Sequence, residues 1–474
     1  MANHDRLLKA MVRDGLDVRK VDGGWQVRLA GYPNSPFADV LLPDDLPVEG
    51  KALHQLANLA SIHGVDKCCA TPDFHPGDSG VAIGSVVRTS CVIPAAVGTD
   101  INCGMRLHLT DLSYDTFMTG RNKLVDLLKG DYFHGTRDVA QTVRVQQMMF
   151  AGGIPLWLKA QEYEGWKHGM VANSDHAQLH LERKKLQYEY NMWGDDVYAP
   201  HDLVTGPDDK IIRDDGLGTI GGGNHFVEFQ MVEEIMDRHA AYNLGIRVGQ
   251  VGFMVHTGSR FVGKYIGQNA HDRAKMEWEK TKRPYPVGNL FPLLDEQQQR
   301  FYLAAEATAA NYGWVNRMLV AEIARLRMRQ VFGSDLECPL ITDIPHNITL
   351  ASPGHRFHDK KWIHRKGACP AEDGDWLLIP GSMGTPSYVC RGSGSEDHLT
   401  SASHGAGRST SRVDTKRLKD HGLSGVDCIT LREERRIEEA PSAYKDIEPV
   451  IRSQMEAGIL SKVAKLKPIL TFKA

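Results

Sequence analysis

Apolar positions along the chain change their spacing several times, and each spacing predicts a different kind of element. Between residues 18 and 29, apolar and polar residues alternate on both sides of Asp22-Gly23-Gly24, which is typical of a β-hairpin. Strands joined by tight loops are predicted where glycine and β-branched residues are frequent, at 44–110, 216–260, 375–380 and 386–391.

Helical spacing dominates three other stretches. Residues 114–200 hold several segments rich in Leu, Met, Lys and Glu, which predict a helix-rich insertion, and a long periodic run at about 295–330 predicts one or two packed helices. Residues 447–473 predict a helix followed by a short strand. Because strands and helices mix without a βαβ rhythm, we expect the α+β class, with mixed sheets and surrounding helices in a single large domain over 1–474.

Composition places the chain among ordinary globular proteins. Of its 474 residues, 42% are hydrophobic and 24% are charged, and no apolar run is long enough to span a bilayer. The first residues show neither a secretory signal nor a lipidation site, so the sequence predicts a cytoplasmic protein with no membrane partner. The formal net charge of −3 favours no particular partner, since a nucleic-acid enzyme need be basic only locally.

Four glycine- or asparagine-rich turns carry residues that could bind a metal ion. Asp100 and Cys103 lie in Gly98-Thr-Asp-Ile-Asn-Cys-Gly-Met-Arg106, and His225 follows three consecutive glycines. His256 ends an apolar run before Thr-Gly-Ser-Arg, and His346 lies in Asp-Ile-Pro-His-Asn. One carboxylate, one thiolate and three imidazoles favour a transition metal over Mg²⁺. A thiolate can also bridge two ions, so a binuclear site is one interpretation.

A structural interpretation of the same residues stays open at this point. Among 21 histidines, any single one is more often a hydrogen-bonded structural residue than a ligand, and Cys103 alone would be taken for a core side chain. The eight cysteines contain no CxxC pair and predict reduced thiols. We expect His355, His358 and His364 to be solvated, because they lie in a polar, lysine-rich stretch.

Small residues are concentrated in Pro380-Gly-Ser-Met-Gly-Thr-Pro-Ser-Tyr388 and in Ser403-His-Gly-Ala-Gly-Arg408. Exposed backbone N–H groups in such loops suit a phosphate, although a structural turn is the plainer alternative. The imidazole of His404 could attack phosphorus there, and Arg408 could neutralise the departing oxygens. No GxxxxGK[ST] motif is present, which excludes a P-loop NTPase. Lys20-Val-Asp-Gly23 fits the KxDG pattern of lysine nucleotidyltransferases, but the predicted turn explains it.

These motifs together resemble the RtcB family of GTP-dependent RNA ligases. The resemblance runs from about residue 72 to residue 473 and is carried, in family order, by GxDINCGMR, GGGNHFVE, HTGSR, ANYGWVNR, PHN, HRKGA, PGSMGTPSY, HGAGR and APSAYKD. It implies the family's own α+β fold. Two segments depart from the family pattern: residues 73–80 are a loose form of DVHxG, and residues 396–403 replace Gly-Ser-Thr-Cys before HGAGR. The departures bear on RNA selection or rate, since every metal and nucleophile position is intact.

The resemblance implies that His404 is the catalytic nucleophile and becomes guanylylated from GTP. GMP then passes to an RNA 3′-phosphate, which is attacked by a 5′-hydroxyl, and a 2′,3′-cyclic phosphate is opened first. The implied cofactor is Mn²⁺, two ions, and the implied partners are RNA with 3′-phosphate and 5′-hydroxyl ends and an archease-like activator. The implied roles are tRNA splicing or RNA repair. The implied metal ligands are Asp100, Cys103, His225, His256 and His346.

The resemblance also implies the residues that bind nucleotide and RNA. Arg260 and Arg408 would hold RNA or nucleotide phosphates. The implied GTP and GMP site comprises Asn224, His225, Phe226, Val227, Glu228, His346, Asn347, Pro380, Gly381, Ser382, Met383, Ser387, His404, Gly405, Ala406, Gly407, Tyr444 and Lys473.

Two other functions compete with an RNA ligase. One is a related phosphoesterase that opens cyclic phosphates without joining ends, and GTP dependence would separate it from a ligase. The other is an RNA-binding scaffold without catalysis, which has no reason to keep His404 and five metal-ligand residues.

Overall fold

Two β-sheets with packed helices make up most of the computed structural model, which describes residues 2–189, 203–353 and 361–474. The strands are β1 (Leu16–Val21), β2 (Gly24–Leu29), β3 (Ala38–Leu41), β4 (Val65–His75), β5 (Ile83–Thr89), β6 (Gly104–Ser113), β7 (Ala140–Thr142), β8 (Ile211–Arg213), β9 (Phe226–Ile235), β10 (Gln250–Thr257), β11 (Leu340–Pro345), β12 (Asn347–Ala351), β13 (Trp362–Lys366), β14 (Ala368–Pro370), β15 (Trp376–Ile379), β16 (Ser387–Gly392), β17 (Ser401–Ser403), β18 (Cys428–Ile429) and β19 (Leu460–Phe472). The α-helices are α1 (Ala2–Arg13), α2 (Gly50–Ala60), α3 (Tyr114–Phe133), α4 (Val143–Tyr163), α5 (His176–Glu182), α6 (Arg238–Leu244), α7 (Arg260–Lys280), α8 (Glu296–Phe332), α9 (Arg412–Thr415), α10 (Glu433–Glu438) and α11 (Ile447–Glu456).

The sheets are mixed but mainly antiparallel. The first sheet has the strand order β1-β2-β3-β4-β5-β13-β12, and the second has the order β11-β6-β10-β9-β19-β16-β15, with β18 beside β19. Only β3 with β4 and β18 with β19 pair in parallel among the described strands. A mixed α/β structure of this kind confirms the predicted α+β class.

The long helix α8 is the largest single element of the structure. It runs for 37 residues, begins where the Asp295 side chain accepts a hydrogen bond from the backbone N–H of Gln298, and packs against α3, α4, α7, β6 and β10. Most of its residues from 302 to 325 are buried, including the polar side chains Asn316 and Arg317. Buried polar groups need partners. Asn316 and Arg317 find them in loops that form the candidate site, at the carbonyl oxygens of Gly258 and Asn102.

Most elements predicted from the sequence are confirmed. The hairpin pairs Val18 with Val27, the strands expected at 375–380 and 386–391 are β15 and β16, and the long periodic run is α8. Helices α3, α4 and α5 occupy the described part of 114–200, whose last residues lie outside the described ranges. The final strand, β19, is 13 residues long rather than short.

Two predictions were incomplete or wrong. Helices α2 and α6 lie in regions predicted to be strands, although the buried residues of α2 (52, 53, 55, 56, 57, 59 and 60) have helical spacing. His364 is buried rather than solvated, because it lies on β13 between β5 and β12, and its Nε2 accepts a hydrogen bond from the backbone N–H of Ile93 at 3.0 Å. Burial lowers the pKa of His364 to about 3. His355 and His358 lie outside the described residues.

No helix among the described residues is both long enough and apolar enough to cross a membrane.

Candidate metal and nucleotide site

The strand register of the second sheet brings four distant segments of the chain to one edge. Strand β6 begins where β10 and β11 end, since Gly104 pairs with Thr257 on one side and with Pro345 on the other. Strand β9 begins at the same edge, where Phe226 pairs with His256. Residues just beyond these strand ends are therefore neighbours. The register alone thus juxtaposes Cys103, His225, His256 and His346.

The side chains at this edge point their donor atoms at one another. The Sγ of Cys103 lies 3.2 Å from Nε2 of His225 and 3.0 Å from Nε2 of His256, and the latter atom lies 3.2 Å from Nε2 of His346. The Oδ2 of Asp100 lies 2.9 Å from Nε2 of His225. Two overlapping donor sets result, Asp100 with Cys103 and His225, and Cys103 with His256 and His346. Cys103 is common to both sets.

The protonation pattern of the cluster fits a bound cation. The Nδ1 of His256 lies 3.2 Å from the carbonyl oxygen of Asn224, which can only accept, so Nδ1 carries the hydrogen and Nε2 presents a lone pair to the cluster. Burial and neighbouring histidines hold the pKa of His256 well below its ordinary value, as burial and His404 do for His346. Neutral imidazoles are the form that binds metal. Burial and Asp100 raise the pKa of the Cys103 thiol, and a metal ion would replace its proton.

The cluster lies in the wall of a cavity of about 740 Å³. A cavity of this volume can hold a ligand the size of a nucleotide. The residues predicted for metal and nucleotide binding that line it are Asp100, Cys103, Asn224, Phe226, Glu228, His256, His346, Asn347, Pro380, Gly381, Ser382, Met383, His404, Gly405, Ala406, Gly407, Arg408, Tyr444 and Lys473.

His404 reaches this cavity from a different direction, between the two sheets. It follows β17, whose partner β14 continues from β13 of the first sheet, and no helix begins at the HGAGR motif. Its Nδ1 lies 2.6 Å from Oδ2 of Asp73, a residue of β4 with a completely buried side chain. The same oxygen accepts a hydrogen bond from the backbone N–H of His404 at 3.2 Å. Among the described residues Nε2 has no hydrogen-bond partner, and the ring centroid lies 4.8 Å from that of His346.

A lysine and two carboxylates stand out in the nucleotide part of the cavity. The carboxylate of Glu228 accepts hydrogen bonds from Thr471 Oγ1 and Gln230 Nε2, each at 2.7 Å, and burial raises the pKa of Glu228 to about 7. Lys473 directly follows β19, and its Nζ lies 5.9 Å from the centre of the Phe226 ring. Burial lowers the pKa of Lys473. Glu439, the second carboxylate, is buried and accepts hydrogen bonds from Arg408, Arg412 and Tyr444.

Four residues from the predicted set do not line the cavity. His225 contacts Asp100 and Cys103, which do line the cavity, whereas Val227 is buried in the core of the second sheet. The Oγ of Ser387 accepts a hydrogen bond from Gln230, which also holds Glu228. Arg260 packs on the glycine loop, where a Cβ added to Gly221 would lie 1.7 Å from its guanidinium. Lys20 of the KxDG pattern also lies elsewhere, on β1, where it pairs with Asp44.

Sequence reasoning assigned no role to several residues that the structure places at the site. The most important of these residues is Asp73, which pairs with His404. The sequence did contain an indication of this, because Asp73 is the single carboxylate in the small and apolar run Cys-Cys-Ala-Thr-Pro-Asp-Phe, and a buried charge requires a partner. Lys366 lines the cavity, and burial lowers its pKa to about 8. Glu439 gave no signal, since it lies in a charged stretch that is typical of an exposed surface.

Fold and site together define an α+β protein with a candidate transition-metal centre in the wall of a nucleotide-sized cavity. A family model described as tRNA-splicing ligase RtcB matches residues 55–474. The chain therefore belongs to the RtcB family. This membership supports the function of an RNA ligase that acts in tRNA splicing.

Individual relatives match over most of their length. The tRNA-splicing ligase RtcB of Thermococcus kodakarensis is 31% identical over 502 residues, which cover 97% of this chain and 99% of that protein. The tRNA-splicing ligase RtcB of Methanococcus maripaludis is 30% identical, with 92% of this chain and 94% of that protein covered. The RNA-splicing ligase RtcB homolog 1 of Entamoeba histolytica is 30% identical, with 89% and 83% covered.

Proposed function

We propose that this protein joins an RNA 3′-phosphate or 2′,3′-cyclic phosphate end to a 5′-hydroxyl end through a GMP adduct on His404. In the first step Nε2 of His404 attacks the α-phosphorus of GTP, a P–N bond forms, and pyrophosphate leaves. A 2′,3′-cyclic phosphate end is first hydrolysed by water to the 3′-phosphate. The RNA 3′-phosphate then takes GMP from His404, with cleavage of the P–N bond. The 5′-hydroxyl finally attacks the activated phosphorus, and GMP leaves as the phosphodiester forms.

The observation that carries this proposal is the pairing of His404 with Asp73. The Asp73 carboxylate accepts hydrogen bonds from the backbone N–H of His404 and from Nδ1, so the ring is held with its second nitrogen, Nε2, available as a nucleophile. His404 lines the same cavity as the donor cluster, and its ring lies against that of His346. A purely structural histidine would have no need of a ring nitrogen open to the cavity.

Asp100, Cys103, His225, His256 and His346 would hold the Mn²⁺ ions, two if Cys103 is shared between the two donor sets. When bound, the metal supplies positive charge that neutralises phosphate oxygens and orients the polyphosphate. Arg408 lines the cavity and is held in place by Glu439, so it is placed to contact RNA or nucleotide phosphates. Arg260 lies outside the cavity wall on the glycine loop, and its proposed partner is RNA.

Glu228 is the residue we propose to select guanine. Guanine presents two adjacent N–H donors, N1–H and the 2-amino group, and a carboxylate can accept from both, whereas adenine has no donor at N1. Glu228 lies in the cavity wall beside Lys473 and Phe226, which can contact a purine ring. A site built in this way rejects nucleotides that leave its carboxylate unpaired.

The decisive experiment uses GTP labelled at the α-phosphate, with Mn²⁺, on the wild type and on His404→Asn. We expect the wild type to acquire covalent label on His404, and the variant to stay folded and metal-loaded but unlabelled, because asparagine cannot form the phosphoramidate. The variant should still seal RNA whose 3′ end carries a pyrophosphate-linked guanosine. Lys20→Ala is the matched control and should label normally. Mapping of GMP to Lys20, or to any residue other than His404, would overturn the mechanism.

A further inference from the structure

A completely buried arginine on helix α8 contacts three of the loops that bear the candidate metal ligands. The Nη1 of Arg317 donates hydrogen bonds to the carbonyl oxygen of Asn102 at 2.5 Å and to that of Thr257 at 3.2 Å. Its Nη2 donates to Oδ1 of Asn102 at 3.1 Å, and its Nε donates to Oδ1 of Asp343 at 2.9 Å. All three guanidinium nitrogens are therefore engaged.

Each of these acceptors lies next to a candidate ligand. Asn102 stands between Asp100 and Cys103, Thr257 directly follows His256, and Asp343 precedes His346 by three residues in the same strand and turn. Arginine is suited to this arrangement, because its planar fork presents donors in fixed directions, whereas lysine offers a single point charge.

The ligand loop itself is shaped around the guanidinium. Asn102 has a φ of +51°, a left-handed conformation that is costly for a residue with a side chain and persists where surrounding contacts enforce it. A Cβ added to Gly104 would lie 2.8 Å from Cζ of Arg317 and 2.6 Å from the carbonyl oxygen of Ile344. Gly104 therefore lets the arginine approach the backbone directly beside Cys103.

We infer that Arg317 is a positioning residue for the candidate metal centre. It fixes the Asp100–Cys103 loop, the end of β10 and the end of β11 relative to one another, and so keeps the candidate ligands in place. This inference rests on the proposed function, since it takes the donor cluster to be the metal site. The hydrogen bonds of Arg317 go to the three loops and not to the donor atoms, and Arg317 does not line the cavity. Outer partners of this kind commonly change metal affinity by about 10- to 100-fold when they are replaced.

A second buried arginine on the same helix provides a matched control. Arg325 lies two turns further along α8 and is equally buried. Its partners are Glu182, Glu322 and the carbonyl oxygen of Cys338, none of which belongs to a candidate ligand loop. Replacement of either arginine by lysine removes a buried fork, but only Arg317→Lys removes hydrogen bonds to the loops that bear the donors. Arg325 is linked to Arg317 only indirectly, through Glu182, Arg106 and Asp343. A purely structural effect should therefore be common to both variants.

The test measures binding of Co²⁺ and Mn²⁺ to the wild type, Arg317→Lys and Arg325→Lys, with the thiolate-to-Co²⁺ charge-transfer band as the spectroscopic signature of Cys103. We expect Arg317→Lys to bind both ions at least about 10-fold more weakly and to show a reduced band, and Arg325→Lys to match the wild type within about twofold. Circular dichroism and metal-free unfolding would verify that both variants fold. Asn102→Gly suits a positive φ and loses the side-chain hydrogen bonds of Asn102 with Arg317 and with the carbonyl oxygen of Ala310, but keeps the backbone contact with Arg317, so it should give a smaller loss.

Wild-type affinity in Arg317→Lys would overturn the inference and leave the proposed function intact. Equal weakening in both lysine variants would also overturn it, because the effect would then be structural. If Arg317→Lys does not fold, Asn102→Gly decides, and wild-type affinity there contradicts the inference. A wild type that binds neither ion and shows no thiolate band would instead refute the metal site and with it the proposed function.

Discussion

Two buried carboxylates in and beside the cavity, Asp73 and Glu228, have pKa values shifted in opposite directions. Burial tends to raise the pKa of Asp73, but the charge and hydrogen bonds of His404 and a hydrogen bond from Thr71 outweigh it and lower the pKa. Burial raises the pKa of Glu228 to about 7, and the hydrogen bonds from Thr471 and Gln230 and the charge of Lys473 offset this only in part. Asp73 is thus a permanent acceptor for His404, whereas Glu228 titrates near neutral pH.

The shift of Glu228 predicts a pH dependence of GTP binding. Guanine needs the carboxylate form, which predominates above the pKa of about 7 and is protonated as the pH falls below it. Between pH 8 and pH 6 the carboxylate fraction falls by roughly tenfold, so we expect GTP affinity to fall by about the same factor. Glu228→Gln should bind GTP weakly at both pH values. Equilibrium binding of a non-hydrolysable GTP analogue checks this, and an equally steep pH dependence in Glu228→Gln would contradict it.

Cys103 supplies the only thiol in the donor cluster formed by the described residues. We therefore expect Cys103→Ala to abolish metal binding and all ligation, while Cys390→Ala, which removes an equally buried core thiol, keeps both. Elemental analysis of the purified proteins measures the outcome. Two tightly bound metal ions per chain in Cys103→Ala would refute the assignment.

At the scale of elements, the geometry of the candidate site depends on close contact between strand β4 and the loop that follows β17. Gly407 has a φ of +74°, and a Cβ added to it would lie 2.1 Å from the carbonyl oxygen of Asp73. Lys445 reinforces the contact, because its Nζ donates to the carbonyl oxygens of Pro72 at 3.0 Å and Phe74 at 2.6 Å. The glycine thus allows the HGAGR loop to approach the aspartate that holds His404.

This contact predicts that Gly407→Ala separates His404 from Asp73. Gly425→Ala is a matched control, since Gly425 has the same φ of +74° but nothing within 4 Å of an added Cβ. Both variants should lose about 1 to 2 kcal/mol from the left-handed conformation of alanine. Only Gly407→Ala should lose more than this and also fail to form the GMP adduct. Thermal unfolding and α-phosphate labelling measure the two effects, and normal labelling of Gly407→Ala would show that the contact is dispensable.

At the scale of the whole molecule, a buried ion network joins the helices after β6 to the sheet that bears the site. Glu182 at the end of α5 accepts hydrogen bonds from Arg325 of α8 at 2.5 Å and from Arg106 of β6 at 3.2 Å. Arg106 also donates to Asp343 at 3.3 Å, and Asp343 is a partner of Arg317. The network therefore extends from α5 to the arginine behind the candidate metal centre.

Removal of the Glu182 charge should destabilise the fold. We expect Glu182→Gln to lower the free energy of unfolding by about 1.5 to 3 kcal/mol, because Arg106 and Arg325 each lose one of their two carboxylate partners, while Asp343 and Glu322 remain. Glu162→Gln, on the exposed face of α4, should change it by less than about 0.5 kcal/mol. Urea titration monitored by circular dichroism distinguishes the two. A change below about 1 kcal/mol in Glu182→Gln would mean that the network does not stabilise this part of the fold.

The sequence by itself determined the class of fold, the long helix, the hairpin and the loops that carry chemistry. Helical and alternating spacing is a local property, as is the glycine content of a turn, so α8, β1, β2 and the loop of Asp100 and Cys103 were predictable. The motifs also carried the family resemblance, which the match over residues 55–474 confirmed. The site roles of individual residues stay predictions.

Only the tertiary structure decided which residues meet. Strand register brought Cys103, His225, His256 and His346 to one sheet edge, and a spacing pattern contains no register between distant strands. Burial of His364 was likewise invisible in its polar surroundings, because it depends on the distant segment at Ile93, whose backbone N–H donates a hydrogen bond to its ring. The pairing of Asp73 with His404 spans 331 positions. Such contacts are set by packing of the whole chain, and the physical chemistry of the site depends on them.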